Sequence, residues 1–464
     1  MDVFRELAAQ GAMIDRLSSD SRRCAPGVAF VAYPGEAGDG RAYIEDALAR
    51  GAAAVLWEKK GFDWRTEWRV PNFAVEGLKQ QASALAHELY GRPSERLWVC
   101  GVTGTNGKTS CSQWVAALLP QAAIIGTLGA GFPGALSAAT NTTPDAVETQ
   151  FLLKGFLDQG AKAVAMEVSS HGLVQGRVSG VRFSCALFTN LSHDHLDYHG
   201  SMANYAAAKA RLFDMPGLET AVLNLDDPLG VELARRLAGR VRTIGYSLAA
   251  REVPVDEAVV AGRDVDPASL PVLGRFNVAN ALGVLGCLVA KGIPVEEGAR
   301  LLATLPPVPG RMQAVGEEPL VVIDYAHTPD ALQNVLQALR PLAAARGGRL
   351  AVVFGAGGDR DPSKRPLMGG IAARYADRVF ITSDNPRSED PVMIIEQIRK
   401  AIRGAHEVEA DRARAIEKAI VESSPSDVVL IAGKGHETYQ EIAGRRIHFS
   451  DQEQARAALA RRPG

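Results

Sequence analysis

The chain has 464 residues, 47% of them hydrophobic and 22% charged, which is enough for about three domains with cores of their own and excludes a mainly disordered chain. The 51 Lys and Arg residues nearly balance the 53 Asp and Glu residues. This balance argues against a general nucleic-acid or membrane-surface binder, although it leaves room for a local basic cleft.

Cysteine usage and the absence of targeting signals indicate the compartment. The five cysteines are far apart and form no CxxC pair, so we expect small, buried, apolar side chains in a reducing compartment. The first residues do not read as a signal peptide, and no run of about 18 apolar residues exists. We therefore expect a cytoplasmic protein that neither inserts in a membrane nor binds nucleic acid.

Short apolar runs alternate with longer Ala/Leu-rich stretches, a pattern typical of α/β proteins with largely parallel sheets. A polar or glycine-rich motif follows each of eight apolar runs at once. Ligands of open parallel sheets bind beyond the carboxyl ends of the strands. The motifs therefore predict large clefts built from the loops after strands at residues 97–102, 163–166, 185–188, 220–223, 320–323, 350–354, 379–382 and 428–432.

Two breaks divide the chain into predicted domains. The segment 91–94 (Gly-Arg-Pro-Ser) stands just before the first glycine-rich motif, and no regular element crosses the segment 305–310 (Leu-Pro-Pro-Val-Pro-Gly) comfortably. We predict a small α/β domain at 1–94, a P-loop-type parallel-sheet domain at 95–309 and a Rossmann-like domain at 310–464.

The segment 103–109 (Thr-Gly-Thr-Asn-Gly-Lys-Thr) follows an apolar run and precedes a helical stretch at 111–119. Glycines let successive backbone N–H groups face one anion, and a helix N-terminus adds positive potential. Lys108 suits the β- and γ-phosphates, and the Thr109 hydroxyl suits Mg²⁺. The strict motif has a glycine where Val102 stands. The alternative is a glycine turn with a surface lysine, but the strand-loop-helix context favours a nucleotide site.

A metal or phosphate site is indicated by Glu167, at a predicted strand end, and by the segment 192–199, which packs three histidines and two aspartates. Their spacing fits no tetrahedral zinc pattern, so Mg²⁺ with oxygen ligands and one imidazole is favoured. A polar loop with structural histidines is the alternative. His193 competes with His195 as the metal-side imidazole, and the role of His199 is open. Taken alone, Lys209 reads as a surface lysine of a helix.

Taken together and in order, the motifs resemble those of the Mur ligases, the ATP-dependent amide ligases of bacterial peptidoglycan synthesis. The resemblance extends over essentially the whole chain, and the departure at Val102 is the family's own form. It rests on residues 20–22 (Asp-Ser-Arg), 103–109, 141–144 (Asn-Thr-Thr-Pro), 167–172, 194–200, 205–213, 274–280, 309–312, 324–329, 357–366, 384–387 (Asp-Asn-Pro-Arg) and 433–437 (Gly-Lys-Gly-His-Glu).

The resemblance implies a uridine-nucleotide domain, an ATP-binding ligase domain and an amino-acid-binding domain, in that order. It implies addition of meso-2,6-diaminopimelate to the D-glutamate γ-carboxylate of UDP-N-acetylmuramoyl-L-alanyl-D-glutamate through an acyl phosphate. It further implies ATP, two Mg²⁺ ions and a carbamylated Lys209, in a monomer serving cell-wall biogenesis, cell shape and cell division. The base that deprotonates the amine is not identified.

The resemblance also implies roles for single residues near the phosphates. The implied catalytic residues are Lys108, Glu167, His195 and Lys209. The implied magnesium-binding residues are Thr109, Glu167, His195 and Lys209. The ATP contacts are Gly104, Thr105, Asn106, Gly107, Lys108, Thr109, Asn277 (the adenine), Arg311, Asp324 and His327.

The other two substrates are assigned in the same way. The residues implied to bind the uridine nucleotide are Ser19, Ser21, Glu36, Ala37 and Gly38. Those implied to bind the muramoyl dipeptide are Asn141, Thr142, Thr143, Ser169, Gln175 and Arg177. Those implied to bind the incoming amino acid are Arg360, Asp384, Asn385, Pro386, Arg387, Gly433 and Glu437.

Arg387 decides between two amino acids. Diaminopimelate differs from lysine by one distal carboxylate, which a guanidinium binds as a bidentate fork, whereas a lysine pocket disfavours an arginine. The alternative is that Arg387 only pairs with a nearby carboxylate, such as Glu389 or Asp390. Three other readings are a lysine-adding relative, a folylpolyglutamate synthetase and a P-loop nucleotide switch. The motif at 20–22 disfavours the second, and the motifs at 384–387 and 433–437 disfavour the third.

Overall fold

The computed structural model describes residues 3–36, 38–139 and 141–462, which form three mainly parallel sheets in succession along the chain. The first sheet has four parallel strands in sequential order. They are β1 (Arg16–Ser18), β2 (Val28–Ala32), β3 (Ala54–Glu58) and β4 (Asn72–Val75), accompanied by α1 (Val3–Ala9), α2 (Ile44–Ala49), α3 (Leu78–Leu89) and α4 (Pro93–Arg96). β2 and β3 are buried along their whole length, as expected when both faces of a parallel sheet are covered.

The second sheet has nine strands, of which only the hairpin strands β7 and β8 run antiparallel to their neighbours. The strands are β5 (Trp98–Thr103), β6 (Ala122–Gly126), β7 (Gly129–Phe132), β8 (Ala135–Ser137), β9 (Ala163–Glu167), β10 (Cys185–Phe188), β11 (Thr220–Asn224), β12 (Arg242–Ser247) and β13 (Glu257–Val260). The helices are α5 (Lys108–Leu118), α6 (Ala146–Asp158), α7 (Ser170–Val174), α8 (Leu196–His199), α9 (Met202–Ala210), α10 (Pro228–Leu237), α11 (Arg275–Ala290) and α12 (Val295–Leu302).

The order of this second sheet, β13-β12-β11-β10-β5-β9-β6-β7-β8, puts β5 between β9 and β10. Later strands lie on both sides of β5, and a crevice therefore opens at the carboxyl end of β5. Open parallel sheets bind their ligands at such a position. The two faces of the sheet are covered by separate apolar cores, one under α5 and α11 and one under α6 and α10. The fold therefore fixes the end of β5 as the place for a ligand.

The third sheet has six strands in the order β14-β15-β19-β16-β17-β18, with only β14 antiparallel. The strands are β14 (Gln313–Glu317), β15 (Leu320–Asp324), β16 (Leu350–Phe354), β17 (Arg378–Ile381), β18 (Glu407–Val408) and β19 (Val428–Ala432), followed by the hairpin β20 (Tyr439–Ile442) and β21 (Arg445–His448). The helices are α13 (Pro329–Ala345), α14 (Lys364–Tyr375), α15 (Pro391–Arg399), α16 (Arg412–Val421) and α17 (Asp451–Ala460).

These sheets confirm the prediction of an α/β protein with largely parallel strands. All eight apolar runs are strands, namely β5, β9, β10, β11, β15, β16, β17 and β19. The predicted divisions at 94/95 and 309/310 fall between sheets and stay predictions. No helix within the described ranges is both long and apolar enough to cross a membrane.

The five cysteines are all free and buried, as expected. The Sγ atoms of Cys100, Cys185 and Cys287 lie within 4.8 Å of one another between β5, β10 and α11. Each side chain is fully enclosed in the apolar core under α5 and α11. An apolar setting disfavours thiolates, so these thiols act as small packing groups beneath the crevice.

The third sheet is tied to its last helix by a buried ion pair. Arg412, at the start of α16, donates from Nε and Nη2 to the two carboxylate oxygens of Asp451, each at 2.7 Å. Neither side chain is exposed. Arg412 also donates to the backbone oxygens of Ser383 and Ala432, at the ends of β17 and β19. The guanidinium therefore joins the loops after two strands to α17.

We predict that Arg412→Met or Asp451→Leu lowers the free energy of unfolding of the third sheet by about 3–5 kcal/mol, because either change leaves a buried charge without its partner. All five tryptophans precede residue 115, so hydrogen-exchange mass spectrometry of β19 and α16 is the appropriate measurement. The double variant should lose less than the sum of the two.

The control is Arg461→Met, because Arg461 pairs with Glu417 at the surface of the same two helices. An exposed pair contributes about 0.2–1 kcal/mol. Equal losses in the Arg412 and Arg461 variants would contradict the role given to the buried pair.

Candidate active site

A cavity of about 610 Å³ lies between the second and third sheets. Its walls come from the loop between β5 and α5, from residues that follow β9, β10 and β11, and from the start of α11. The opposite wall comes from the loop between β15 and α13. Five of the eight polar motifs predicted at strand ends, those after β5, β9, β10, β11 and β15, therefore converge here from two different sheets. We call this cavity the main cleft.

The loop at 104–107 has a backbone that only glycine suits at two points. Gly104 has φ +151°, and a Cβ there would lie 1.8 Å from Thr189 Oγ1. Gly107 has φ +86°, and a Cβ there would lie 2.4 Å from Asn280 Oδ1. The loop is held further by Asn106, whose N–H donates to Asn190 Oδ1 at 2.9 Å. The backbone of the loop is thus fixed in a curled form by its two glycines and by Asn190.

Two lysines meet at this loop. Lys108 Nζ donates to the backbone oxygens of Gly104 at 2.8 Å and Thr105 at 2.9 Å. Lys209 Nζ donates to the same Gly104 oxygen at 2.7 Å. Loss of hydration lowers the pKa of Lys108, partly against the attraction of Glu167. Burial, together with repulsion from Lys108, holds the pKa of Lys209 well below its ordinary value.

Lys209 is therefore not the surface lysine that its helical pattern alone suggests. Only 1% of it is exposed, and its Nζ lies 4.4 Å from the centre of the Tyr205 ring. The expectation from the helical pattern is wrong because α9 directs this side chain toward the loop beneath the main cleft and not toward solvent. A depressed pKa favours the neutral amine, which carries a free electron pair.

Glu167 is a fixed carboxylate at the end of β9. Its Oε1 accepts from the N–H of Thr127 at 2.8 Å, and its Oε2 accepts from the hydroxyls of Thr109 and Thr127, each at 3.1 Å. The side chain is 1% exposed, yet it lines the main cleft. A carboxylate and a hydroxyl side by side are the oxygen ligands that Mg²⁺ prefers. Thr109 and Glu167 therefore fit the metal role predicted for them.

The predicted histidine segment separates into one cleft residue and two others. His195 lines the main cleft, with Nε2 3.4 Å from Asp194 Oδ2. Loss of hydration lowers the pKa of His195 to about 4, despite Asp194, so its imidazole is neutral and able to bind a metal. His199 instead pairs with Ser170 Oγ at 2.9 Å, and His193 does not line the cleft. The geometry thus favours His195 over His193.

The wall formed by the third sheet contacts the phosphate loop directly. Arg311 Nη2 donates to Thr109 Oγ1 at 3.1 Å, and its guanidinium carbon lies 4.2 Å from the centre of the Tyr325 ring. Asn106 Nδ2 donates to Asp330 Oδ2 at 3.3 Å. The cleft therefore closes around the end of β5.

The other predicted nucleotide residues have defined positions on the same wall or on α11. Buried Asp324 accepts from the N–H groups of Met312 and Ala326, both at 2.8 Å, and burial raises its pKa. His327 lines the cleft, and burial lowers its pKa. Asn277 lies at the start of α11, with Nδ2 donating to the Leu273 oxygen at 3.0 Å.

A second cavity, of about 420 Å³, lies between the first and second sheets. The predicted residues Glu36, Gly38, Asn141, Gln175 and Arg177 line it. The predicted residues Thr142 and Ser169 line the main cleft instead. The set predicted for the dipeptide therefore extends from one cavity to the other.

Two predicted residues of this region form hydrogen bonds within the protein, a third does not line the second cavity, and a fourth lies outside the described residues. Thr143 donates to the Glu167 backbone oxygen at 2.9 Å, and Ser21 donates to Asp46 Oδ2 at 2.6 Å. Neither Ser21 nor Ser19 lines the second cavity. Ala37 lies outside the described residues. The hydroxyls of Ser21 and Thr143 thus stabilise local structure, a use that motif matching does not distinguish from substrate contact.

The motifs at 384–387 and 433–437 meet at the ends of β17 and β19 and form one cluster, which we call the C-terminal pocket. Asn385 Nδ2 donates to Glu437 Oε2 at 2.8 Å. Gly433 has φ +117°, and a Cβ there would lie 2.3 Å from Asp384 Oδ2. A residue with a side chain would therefore push Asp384 out of place.

Two arginines stand beside the C-terminal pocket. Arg387 Nη1 donates to the Gly358 oxygen at 2.6 Å, and its Nε lies 3.8 Å from Glu441 Oε2. A Cβ on Gly357 would lie 3.0 Å from Arg387 Nη1 and 3.7 Å from Arg360 Cγ, which places both arginines over this glycine.

The alternative partners of Arg387 and the position of Pro386 are also settled. Glu389 pairs with buried Arg365 at 2.8 Å, and Asp390 caps α15, so neither serves Arg387. The Pro386 backbone oxygen would lie 1.9 Å from a Cβ on Gly358, so the two loops touch at that glycine.

Sequence reasoning missed several residues of the two sites. Thr127 anchors Glu167 but stands in no quoted motif. Tyr205, which covers Lys209, is the first residue of the quoted motif at 205–213. Lys434 lies between two glycines of the quoted motif at 433–437, and its side chain is fully buried against Asn385 and Glu437. Tyr205 and Lys434 therefore carried a sequence signal, whereas Thr127 carried none.

Family models match most of the chain. Residues 13–90 match the Mur ligase family catalytic domain, residues 102–288 the Mur ligase middle domain, and residues 310–435 the Mur ligase glutamate ligase domain. Each of the three matches contains one of the large sheets. The exception is the start of β5, which precedes residue 102.

Curated relatives of similar length carry one name. The UDP-N-acetylmuramoyl-L-alanyl-D-glutamate–2,6-diaminopimelate ligase of Pseudomonas aeruginosa is 51% identical, over 98% of this chain and 96% of its own. The enzymes so named in Chromobacterium violaceum and Nitrosomonas europaea are 49% and 47% identical, over 98% and 96% of this chain and 96% and 93% of their own.

Solved structures show the same fold. A structure of a UDP-N-acetylmuramoyl-L-alanyl-D-glutamate–2,6-diaminopimelate ligase superposes with a TM-score of 0.65 at 35% identity, over 96% of this chain and 95% of its own. A MurF ligase from Thermotoga maritima in complex with ADP gives 0.62 at 19% identity, over 96% of both chains. A folylpolyglutamate synthase/dihydrofolate synthase from Yersinia pestis gives 0.61 at 18% identity, over 82% and 93%.

We predict that Gly104→Ala weakens binding of a fluorescent ATP analogue about tenfold or more, because φ +151° is accessible almost only to glycine and the added Cβ would meet Thr189. Gly155→Ala, in the middle of α6 with its nearest contact at 3.9 Å, is the matched control and should leave affinity unchanged. Thermal melts of both variants separate lost binding from lost folding. Unchanged affinity in a folded Gly104→Ala protein would contradict the site.

Proposed function

Because the chain belongs to the Mur ligase family, we propose that it is an ATP-dependent amide ligase that adds meso-2,6-diaminopimelate to UDP-N-acetylmuramoyl-L-alanyl-D-glutamate. One observation carries the proposal. The second sheet presents a phosphate loop with two lysines, and the third sheet presents a pocket with both arginines and carboxylates. The relatives at 47–51% identity are named for this reaction.

The phosphate loop serves the first half of the reaction. A carboxylate is a poor acyl donor, and the D-glutamate γ-carboxylate becomes reactive when one of its oxygens attacks the γ-phosphorus of ATP, with ADP leaving. Both reactants are anions, so Lys108 at the loop offsets their repulsion and stabilises charge on the transferring phosphoryl group. Mg²⁺, held by Thr109, Glu167 and His195, would supply further neutralisation of the phosphates when bound.

Lys209 serves the same half as a carbamate. Its amine is buried and disposed to be neutral, and the structure gives it no carboxylate partner within the described ranges. Attack of the neutral Nζ on CO₂ forms an N–C bond, and loss of one proton leaves a carbamate with a negative charge. This change places an anion beside Lys108 where a protonated amine would repel it, and the carbamate would offer an oxygen ligand for a second Mg²⁺.

The remaining nucleotide contacts follow from the walls of the main cleft. The backbone of Gly104, Thr105 and Gly107 and the side chain of Asn106 hold the phosphates. Asn277, at the start of α11, meets the adenine, and Arg311, Asp324 and His327 contact ATP from the third sheet. The direct contact between Arg311 and Thr109 supports this arrangement.

The second cavity serves the UDP-linked substrate. Glu36, Gly38 and their neighbours on the first sheet receive the uridine nucleotide. Asn141, Gln175 and Arg177 hold the muramoyl dipeptide where the cavity begins, and Thr142 and Ser169 hold it where it enters the main cleft. The distribution of these residues over both cavities is what supports a substrate that reaches from one to the other.

The C-terminal pocket serves the amino acid. Asp384 and Glu437 are anions for an ammonium group, and Arg387 and Arg360 are cations for a carboxylate. Asn385, Pro386 and Gly433 shape the pocket. The neutral amine attacks the acyl phosphate, and the tetrahedral intermediate releases phosphate. Three substrates held by three sheets supply the proximity that this step requires.

The three sheets also support the domain division at 1–94, 95–309 and 310–464, for the UDP-substrate, ATP and amino acid respectively. We propose that the enzyme acts in the cytoplasm as a monomer. There it would meet its substrates and serve cell shape and cell division. Folylpolyglutamate synthesis is not favoured, because the likeness to that enzyme is at 18% identity and shows the fold alone.

We predict that phosphate release requires the UDP-linked dipeptide and an amino acid together, and that meso-diaminopimelate is strongly preferred to L-lysine. Arg387→Ala should raise the KM for diaminopimelate about 10- to 100-fold, because hydrogen bonds to a charged group are lost, with little change in kcat. A coupled phosphate-release assay over an amino-acid panel measures both effects.

The matched control is Arg399→Ala, since Arg399 is an exposed arginine at the end of α15 that pairs with Glu396. Equal use of lysine by the unmodified enzyme would overturn the assignment to diaminopimelate. Phosphate release with ATP alone would point to the nucleotide switch instead.

A further prediction concerns the carbamate. Lys209→Ala should lower kcat about 100-fold or more, because an anion that would face the phosphates is lost, and acetate in the millimolar range should restore part of the activity. Lys162→Ala, at an exposed lysine before β9, should behave as the unmodified enzyme. Ordinary activity in Lys209→Ala would show that the lysine only packs beneath the loop.

A further inference from the structure

Lys434 lies at the base of the C-terminal pocket, where its side chain is fully buried. Its Nζ donates to Asn385 Oδ1 at 3.0 Å and to Glu437 Oε2 at 3.1 Å, and it lies 3.9 Å from Asp384 Oδ1. Oxygens of three proposed amino-acid contacts thus surround one ammonium group. Lys434 itself has no place among the groups assigned to the substrate.

The first consequence is that Lys434 sets the orientation of Asn385 and Glu437. Asn385 Oδ1 accepts from Lys434 and from the N–H of Glu441 at 3.0 Å. Its Nδ2 must then point the other way, and it donates to Glu437 Oε2 at 2.8 Å. Oε2 therefore takes two donors, and Oε1 is the Glu437 oxygen that accepts from a ligand.

The second consequence is the charge of the pocket. Asp384 and Glu437 bring two negative charges, and Lys434 brings one positive charge, which leaves a net charge of −1 for these three groups. Arg412 does not alter this sum, because it is fully paired with Asp451. These three groups together match one ammonium group, whereas the two carboxylates without Lys434 would repel each other.

The substrate chemistry requires such a match. Diaminopimelate has two amino groups, of which one must be neutral to attack the acyl phosphate while the other remains an ammonium group. A pocket that holds the ammonium group also fixes where the reacting amine lies. The orientation and charge of the pocket therefore affect how tightly the amino acid binds.

We propose that Lys434 is a positioning residue for amino-acid recognition, which orients Asn385 and Glu437 and sets the charge of the pocket for one ammonium group without touching the substrate. This inference rests on the proposed function of the C-terminal pocket. It is independent of which diamino acid occupies the pocket, because lysine and diaminopimelate share the second amine.

The test compares steady-state kinetics of Lys434→Met and the unmodified enzyme, with whichever amino acid the unmodified enzyme consumes best. We expect the KM for the amino acid to rise about 10- to 100-fold, as for the loss of hydrogen bonds to charged groups. We expect kcat to stay within about threefold, and the KM values for ATP and the UDP-linked dipeptide to stay within about twofold, because those sites lie elsewhere.

Two further variants keep the result interpretable. Lys418→Met removes an exposed lysine of the same sheet that pairs with Glu407, and it should leave all constants unchanged. Lys434→Gln retains an amide donor for Asn385, so it should fold if Lys434→Met does not, and it should still raise the KM for the amino acid.

The possible results distinguish failure of the positioning role of Lys434 from failure of the proposed function. An unchanged KM for the amino acid in either folded variant overturns the positioning role, as does a rise of all three KM values together with a lower melting temperature. If the unmodified enzyme prefers lysine, the assignment to diaminopimelate fails while the positioning role is still measured with lysine.

Discussion

Two lysine side chains converge on a single backbone oxygen, and the rest of the site depends on this arrangement. Lys108 and Lys209 both donate to the Gly104 oxygen, at 2.8 and 2.7 Å, and neither forms an ion pair with a carboxylate in the described ranges. One neutral carbonyl does not balance two ammonium groups at this distance. Burial lowers the pKa of both lysines, and repulsion from Lys108 lowers the pKa of Lys209 further. The loop is therefore prepared for anions such as the phosphates of a nucleotide.

The third sheet completes the cleft through a series of contacts that begins at this loop. Arg311 bonds to Thr109 and stacks on Tyr325, whose ring centre lies 5.4 Å from that of His436. A Cβ on Gly310 would lie 2.2 Å from the His436 N–H nitrogen, so the connection between the sheets packs directly against the motif at 433–437. The nucleotide site and the C-terminal pocket are thus adjacent, as expected for a ligase in which the incoming amine attacks a carboxylate that ATP has activated.

Much of this could be predicted from the sequence because each strand end carries its own chemistry. The apolar runs predicted eight strands, and the glycines at 104 and 107 predicted a loop whose backbone only glycine suits. The roles of side chains were less predictable where they depend on contacts between distant segments. The burial of Lys209, the anchoring of Glu167 by Thr127 and the use of Ser21 on Asp46 all arise from packing that no local pattern records.

The central claim is that the γ-carboxylate of the substrate is activated as an acyl phosphate in the main cleft. The most direct measurement uses the UDP-linked dipeptide with ¹⁸O in both γ-carboxylate oxygens, ATP and diaminopimelate, with mass spectrometry of the released phosphate. The account predicts one ¹⁸O atom in each phosphate and one retained in the new amide, because the bridging oxygen leaves with phosphorus. Unlabelled phosphate, formed by attack of water on ATP, would contradict it.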